Sequence, residues 1–190
     1  MLQHQPPTAF LLKAVNDAKG RIEGYASLYN VEDSEADLVL PGAFDASLKE
    51  WTRAGRTPPL LWQHDQTQPI GIWQFIKSDA SGLFVRGQLF VNEIARAAEA
   101  YALLKRGALS GLSIGYRPEV ARRDAKRGLR LLERIRLYEI SLVTFPALES
   151  ARVSAVKADD GSADEDGCGQ AQLVAALRRC TETLRQLSRH

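Results

Sequence analysis

Residues Leu109–Ala147 read LSGLSIGYRPEVARRDAKRGLRLLERIRLYEISLVTFPA, two largely apolar runs around the basic segment VARRDAKRG. If residues 111–116 form a strand, Leu112, Ile114 and Tyr116 face one side while Gly111, Ser113 and Gly115 face the other. The second run is rich enough in apolar residues at LYEISLVTF to predict a mostly buried strand. No repeated alternation of strand and helix follows, which argues against a doubly wound sheet. The stretch predicts a mainly β fold.

Upstream the pattern continues. TAFLLKAV and RIEGYASLY flank the turn-like NDAKG between Thr8 and Asn30, which predicts a hairpin. An acidic loop, VEDSEAD, leads to FDASLKEWTRAG, where Phe44, Leu48 and Trp51 share one face of a short helix that Gly55 ends. Three strands are expected in PPLLWQH, PIGIWQFIK and GLFVRGQLFV, with SDASG as the clearest turn. EIARAAEAYALLKRG predicts a second helix, capped by Asn92 and stopped by Gly107, with Ile94, Ala97, Ala98, Tyr101 and Leu104 as its apolar stripe.

The organisation expected is a leader over 1–7, one domain over 8–156, an acidic flexible linker over 157–169 and a helix over 170–190. Leu173, Leu177, Cys180, Leu184 and Leu187 recur at heptad steps in that last segment, which suits either a tethered helix that binds another chain or one folded back on its own domain.

Composition bounds the chemistry. The 190 residues carry 25 Lys+Arg against 23 Asp+Glu, and the net charge of +2 announces no polyanionic partner. With 45% hydrophobic and 25% charged residues, a chain disordered throughout or fibrous is excluded. The absence of a run of about 20 apolar residues, and of a basic then apolar start in MLQHQPPTAF, suggests a soluble, unexported protein. Cys168 and Cys180 lie beyond the expected core and no four-ligand Cys/His set occurs, so neither a disulfide framework nor structural zinc is expected, and no cofactor. His4 and His190 sit near the two ends, leaving His64 as the imidazole available to the folded core.

Gly111-Leu112-Ser113-Ile114-Gly115 matches the G-x-S-x-G nucleophile pattern, in which glycines leave room for a substrate carbonyl and backbone N–H donors around a serine oxygen. A serine hydroxyl needs a base, and that base needs an orienting group. An α/β-hydrolase order of Ser, acid, His fails here, so a Ser113 nucleophile would draw on His64. Asp65, adjacent to His64, would point to the opposite face of a strand, which makes Glu139 the better acid. In an apolar strand its carboxylate needs a partner, with His64 the functional choice and Arg134 or Arg136 the structural ones.

Plainer roles stand beside each of these. Ser113 also suits a tight strand, and His64 a core histidine bonded to a carbonyl. Trp51, Trp62 and Trp73 suit packing. Asp33, Glu35 and Asp37 suit a solvated acidic loop better than a cation site. Arg117, Arg122, Arg123, Lys126, Arg127, Arg130, Arg134 and Arg136 outnumber Glu119, Asp124 and Glu133, an excess that suits a solvated hairpin, an acidic protein segment or nucleic acid.

Taken in order, GYASLYNVEDSEADLVLPGAF, LLWQHDQTQPIGIW, LSGLSIGY and EISLVTFPALESARV resemble the prohead (capsid maturation) serine proteases of tailed bacteriophages, relatives of the herpesvirus assemblin proteases. The resemblance spans about Gly24 to Val156. It implies a small β-barrel surrounded by helices and a serine endopeptidase with His64 as base, Ser113 as nucleophile and Glu139 as third member, where assemblins use a second histidine. It further implies self-association and action inside the assembling prohead in the host cytoplasm. There the enzyme would cleave scaffold or the scaffold-like segment of the major capsid protein, and then itself. Oxyanion donors would be backbone N–H groups, with a water held by Arg117, Arg134 or Arg136. The competing readings are a non-enzymatic assembly protein with an inactive protease fold and a general serine esterase.

Overall fold

The computed structural model describes residues 20–156. The leader, the strand expected over Thr8–Val15, the acidic linker and the C-terminal helix lie outside the described residues. Eight strands and two helices follow in the order β1 (Arg21–Leu28), β2 (Asp37–Val39), α1 (Asp45–Arg53), β3 (Pro59–Trp62), β4 (Asp65–Ser78), β5 (Gly82–Leu89), α2 (Ala95–Lys105), β6 (Gly111–Asp124), β7 (Leu129–Val143) and β8 (Val153–Val156). The mainly β expectation is met, and neither helix is long and apolar enough to cross a membrane.

All eight strands belong to one curled sheet, ordered β2-β7-β3-β4-β5-β1-β8, with β6 on the other edge of β7. Curling brings the entry to β8 back to the start of β6. There Leu112 N–H donates to Ala151 O at 2.8 Å and Val153 N–H to Ser110 O at 2.7 Å. The expected barrel is therefore a half-barrel whose two sides meet over this short stretch, accompanied by two helices.

Alternation builds the sheet where one face is wet. β7 changes character along its length, since residues 129–138 mix buried and exposed positions while 139–143 are all buried. On one edge β7 pairs with β6 throughout, and on the other with β2 at its start and β3 at its end, both parallel. Inside the curl, Phe44, Leu60, Ile70, Trp73, Leu83, Leu112, Ile135, Ile140 and Leu142 form the core, each large side chain contributing about 1.5–3 kcal/mol by leaving water. The three tryptophans pack as expected: Trp73 and Trp51 donate to Ile140 O and Leu137 O, and Trp62 lies under the Arg96 guanidinium.

Helix α1 ends as predicted, with Gly55 in the left-handed region at φ 64°. Helix α2 begins later than expected. Its N-cap is Ile94 rather than Asn92 and lacks a side-chain cap, because the N–H groups of Glu93 and Ile94 both turn back to Phe90 O. Its buried face is Ala97, Ala100, Tyr101 and Leu104, so Ala100 takes the place expected for Ala98.

The acidic loop corrects a second expectation. Asp37 is 1% exposed, because β2 sets it opposite Arg130 in the parallel register with β7. Arg130 Nε and Nη2 donate to its two oxygens, and Tyr116 adds its hydroxyl at 2.6 Å. Only the flanking Glu32 and Glu35 are solvated acids.

Candidate active site

The base of the β6–β7 hairpin sets Ser113 and Glu139 on one sheet face. In this antiparallel register Ser113 is opposite Ser141 and Gly115 opposite Glu139, and directly opposed residues point to the same face. Parallel pairing with β3 sets Leu61 beside Ser141 and Trp62 beside Leu142, so β3 ends next to this row.

His64 occupies the tight turn that follows. Trp62 pairs with Asp65, leaving Gln63 and His64 as the two turn residues, at φ 52° and 60°. Two successive left-handed residues are what a type I′ hairpin requires, normally supplied by Asn-Gly, and each non-glycine residue there costs on the order of 1 kcal/mol. Gln63 holds the turn down. Its N–H donates to Leu142 O at 2.9 Å, its amide nitrogen to Thr144 Oγ1 at 2.8 Å, and its amide oxygen accepts Thr144 N–H at 3.2 Å.

From that turn the imidazole reaches β7, where Nδ1–H donates to Glu139 Oε1 at 2.6 Å. The second carboxylate oxygen, Oε2, accepts the Ser141 hydroxyl at 2.5 Å. Glu139 is 8% exposed and Ser141 fully buried. The hydrogen bond to Glu139 raises the His64 pKa above the ordinary imidazole value, against an opposing effect of burial, and the carboxylate's charge adds to the rise. With Nδ1 engaged, Nε2 is the nitrogen left for chemistry.

The second glycine of G-x-S-x-G has a specific use. A Cβ at Gly115 would lie 2.2 Å from Glu139 Oε1, so the missing side chain leaves the space that the carboxylate occupies. A Cβ at Gly111 would meet Val143 O at 2.5 Å, which ties the first glycine to strand approach rather than to the serine.

Ser113 is 7% exposed, more covered than alternation alone predicts. It lines a small cavity of about 30 Å³ with Ser27, Asp33, Leu112, Ala147 and Leu148, room for a water-sized group. Among the described residues its hydroxyl makes no hydrogen bond, to His64 or otherwise. Asp65 is fully solvated and bonds Thr67 through one carboxylate oxygen. Of the structural partners expected for Glu139, Arg136 turns instead to Glu50 at 3.1 Å.

Ser141 and Gln63 were not among the sequence candidates. Ser141 had a signal available, because it lies two residues after Glu139 in a strand and therefore on its face. Gln63 had none, since its role depends on where β7 ends.

Residues 9–164 match the family model described as Caudovirus prohead serine protease. The sequence is 35% identical to the prohead protease of Enterobacteria phage HK97, over 93% of this chain and 83% of the relative. Against the prohead protease of Escherichia phage T5 the identity is 27%, over 74% of this chain and 65% of the relative. Among solved structures, the bacteriophage T4 capsid assembly protease superposes with a TM-score of 0.52 at 13% identity, over 65% of this chain and 82% of that one, a likeness of fold.

Proposed function

Since this chain belongs to the caudovirus prohead serine protease family, we propose that it is a serine endopeptidase in which Ser113 is the nucleophile, His64 the general base and Glu139 the group that orients the base. The observation that carries the reading is the 2.6 Å bond from His64 Nδ1 to a buried Glu139, on the sheet face that also holds Ser113.

The reaction is acyl transfer. Substrate binding brings Ser113 Oγ and His64 Nε2 to about 3 Å, the reach a general base needs. As Ser113 attacks the peptide carbonyl, Nε2 takes its proton, and the Glu139 carboxylate stabilises the imidazolium through Nδ1. The proton passes to the leaving amine, and water, activated by the same nitrogen, hydrolyses the acyl-enzyme. Backbone N–H groups carry the oxyanion, each worth about 100- to 1,000-fold in rate.

Substrates on this reading are scaffold or the scaffold-like segment of the major capsid protein, and the protease itself, inside the assembling prohead. Co-expression of the Ser113→Ala chain with its capsid partner tests it. The expected result is a folded protein that leaves itself and the partner uncut; normal processing would sink the serine assignment.

A further inference from the structure

We propose that Ser141 is a positioning residue that acts through Glu139, an inference that rests on the catalytic reading of His64 above. The hydroxyl has one proton, and it is spent on Glu139 Oε2 at 2.5 Å. Holding that oxygen turns the other, Oε1, toward His64 Nδ1. Both side chains are buried, 8% exposed for Glu139 and 0% for Ser141, so no bulk water replaces the hydroxyl. Gly115 leaves space around the carboxylate, with Oε1 where a Cβ would stand, and that open space alone does not select one rotamer. The serine supplies the missing constraint. Ser141 also stands opposite Ser113 without bonding to it, so its proton is directed to the acid and not to the nucleophile.

Without the hydroxyl, Oε2 becomes a buried unpaired acceptor. The carboxylate then swings out of this position to find another donor, which takes Oε1 off Nδ1, and His64 loses the partner that favours its charged form.

The test is an NMR titration of the full chain in the Ser113→Ala background, which removes self-cleavage. Only three histidines contribute imidazole signals, and His64→Gln identifies the relevant one. Adding Ser141→Ala is expected to lower the His64 midpoint by about half a pH unit or more and to broaden the low-field Nδ1–H resonance. Adding Ser141→Ala to Glu139→Gln is expected to move the midpoint no further, because coupled residues do not add. An unchanged midpoint in the first comparison, or an additive shift in the second, overturns the proposal. The titration needs no activity, so its failure is distinct from failure of the catalytic reading, which would show as cleavage by the Ser113→Ala chain itself. In the active background, Ser141→Ala should lower kcat with little change in KM and move the acid limb of the rate profile in the same direction as the titration.

Discussion

Two carboxylates are buried along β7, and what holds each differs in one respect. Asp37, on β2 beside the start of that strand, is paired with Arg130 and Tyr116; Glu139, within β7 near its end, is paired with His64 and Ser141. Each accepts a charged or chargeable nitrogen and a hydroxyl. The nitrogens differ in kind. A guanidinium does not give up its proton in a protein, so near neutrality the Asp37 cluster has one state and can only fasten β2 to the hairpin. An imidazole titrates near neutrality, so the Glu139 cluster has two states, and moving between them is what a general base does.

The largest expected effect breaks the Glu139 side of this comparison. His64→Ala should reduce peptide cleavage on the order of 10,000-fold or more, and Glu139→Gln by a smaller factor of about 100 to 10,000, while both chains stay folded. Steady-state kinetics on one capsid-derived peptide checks the order. A Glu139→Gln chain with full activity would move the orienting role elsewhere.

Breaking the Asp37 side should cost stability instead. Arg130→Ala leaves a carboxylate whose side chain is 0% exposed without its cation, and about 2–4 kcal/mol is expected, trimmed because the arginine is half-exposed. Urea unfolding measures it, and an unchanged midpoint would show the pair to be ornamental.

The clusters should also respond to pH with opposite signs. Burial pushes the Asp37 pKa up, but the bonds from Arg130 and Tyr116 outweigh it and hold the carboxyl below its usual range. Its contribution is then full above about pH 4 and fades as pH falls through the depressed value. For His64 the folded pKa is raised, so its contribution is full below about pH 6.5 and fades as pH rises through the folded value. The difference in Tm between parent and His64→Gln should shrink from about pH 6.5 upward, and that between parent and Arg130→Ala should shrink below about pH 4. The acid limb of activity should lie above about 6.5 and move down in Glu139→Gln, because a protonated His64 cannot accept the Ser113 proton.

The smallest effect concerns the hairpin tip, where Arg122 and Glu133 pair at 2.7 Å on the surface. Arg122→Ala should change stability by less than about 0.5 kcal/mol, and a larger loss would mean that the tip supports the base.

Local patterns carried much of this. Alternation in RIEGYASL and GLFVRGQL marked β1 and β5, the spacing of Phe44, Leu48 and Trp51 marked α1, and Gly55 marked its end, because such signals are properties of neighbouring residues. Ser113, His64 and Glu139 were legible as residue types that hydrolysis needs, given so few histidines. The acidic loop was misread at Asp37, since its burial comes from a partner 93 positions away, and the half-barrel closure at Ala151–Val153 has no local signature.

Sequence by itself supplied the candidates for the chemistry: one available imidazole in the core, a serine between glycines, an acid in an apolar strand, and the family to which their order belongs. Tertiary structure alone decided which acid meets that imidazole and what holds it. The parallel pairing of β3 with β7 delivers the His64 turn to Glu139, Gln63 pins the turn, and Gly115 clears the space. Register between strands distant in sequence is set by burial of the whole sheet, and no window of neighbouring residues contains it.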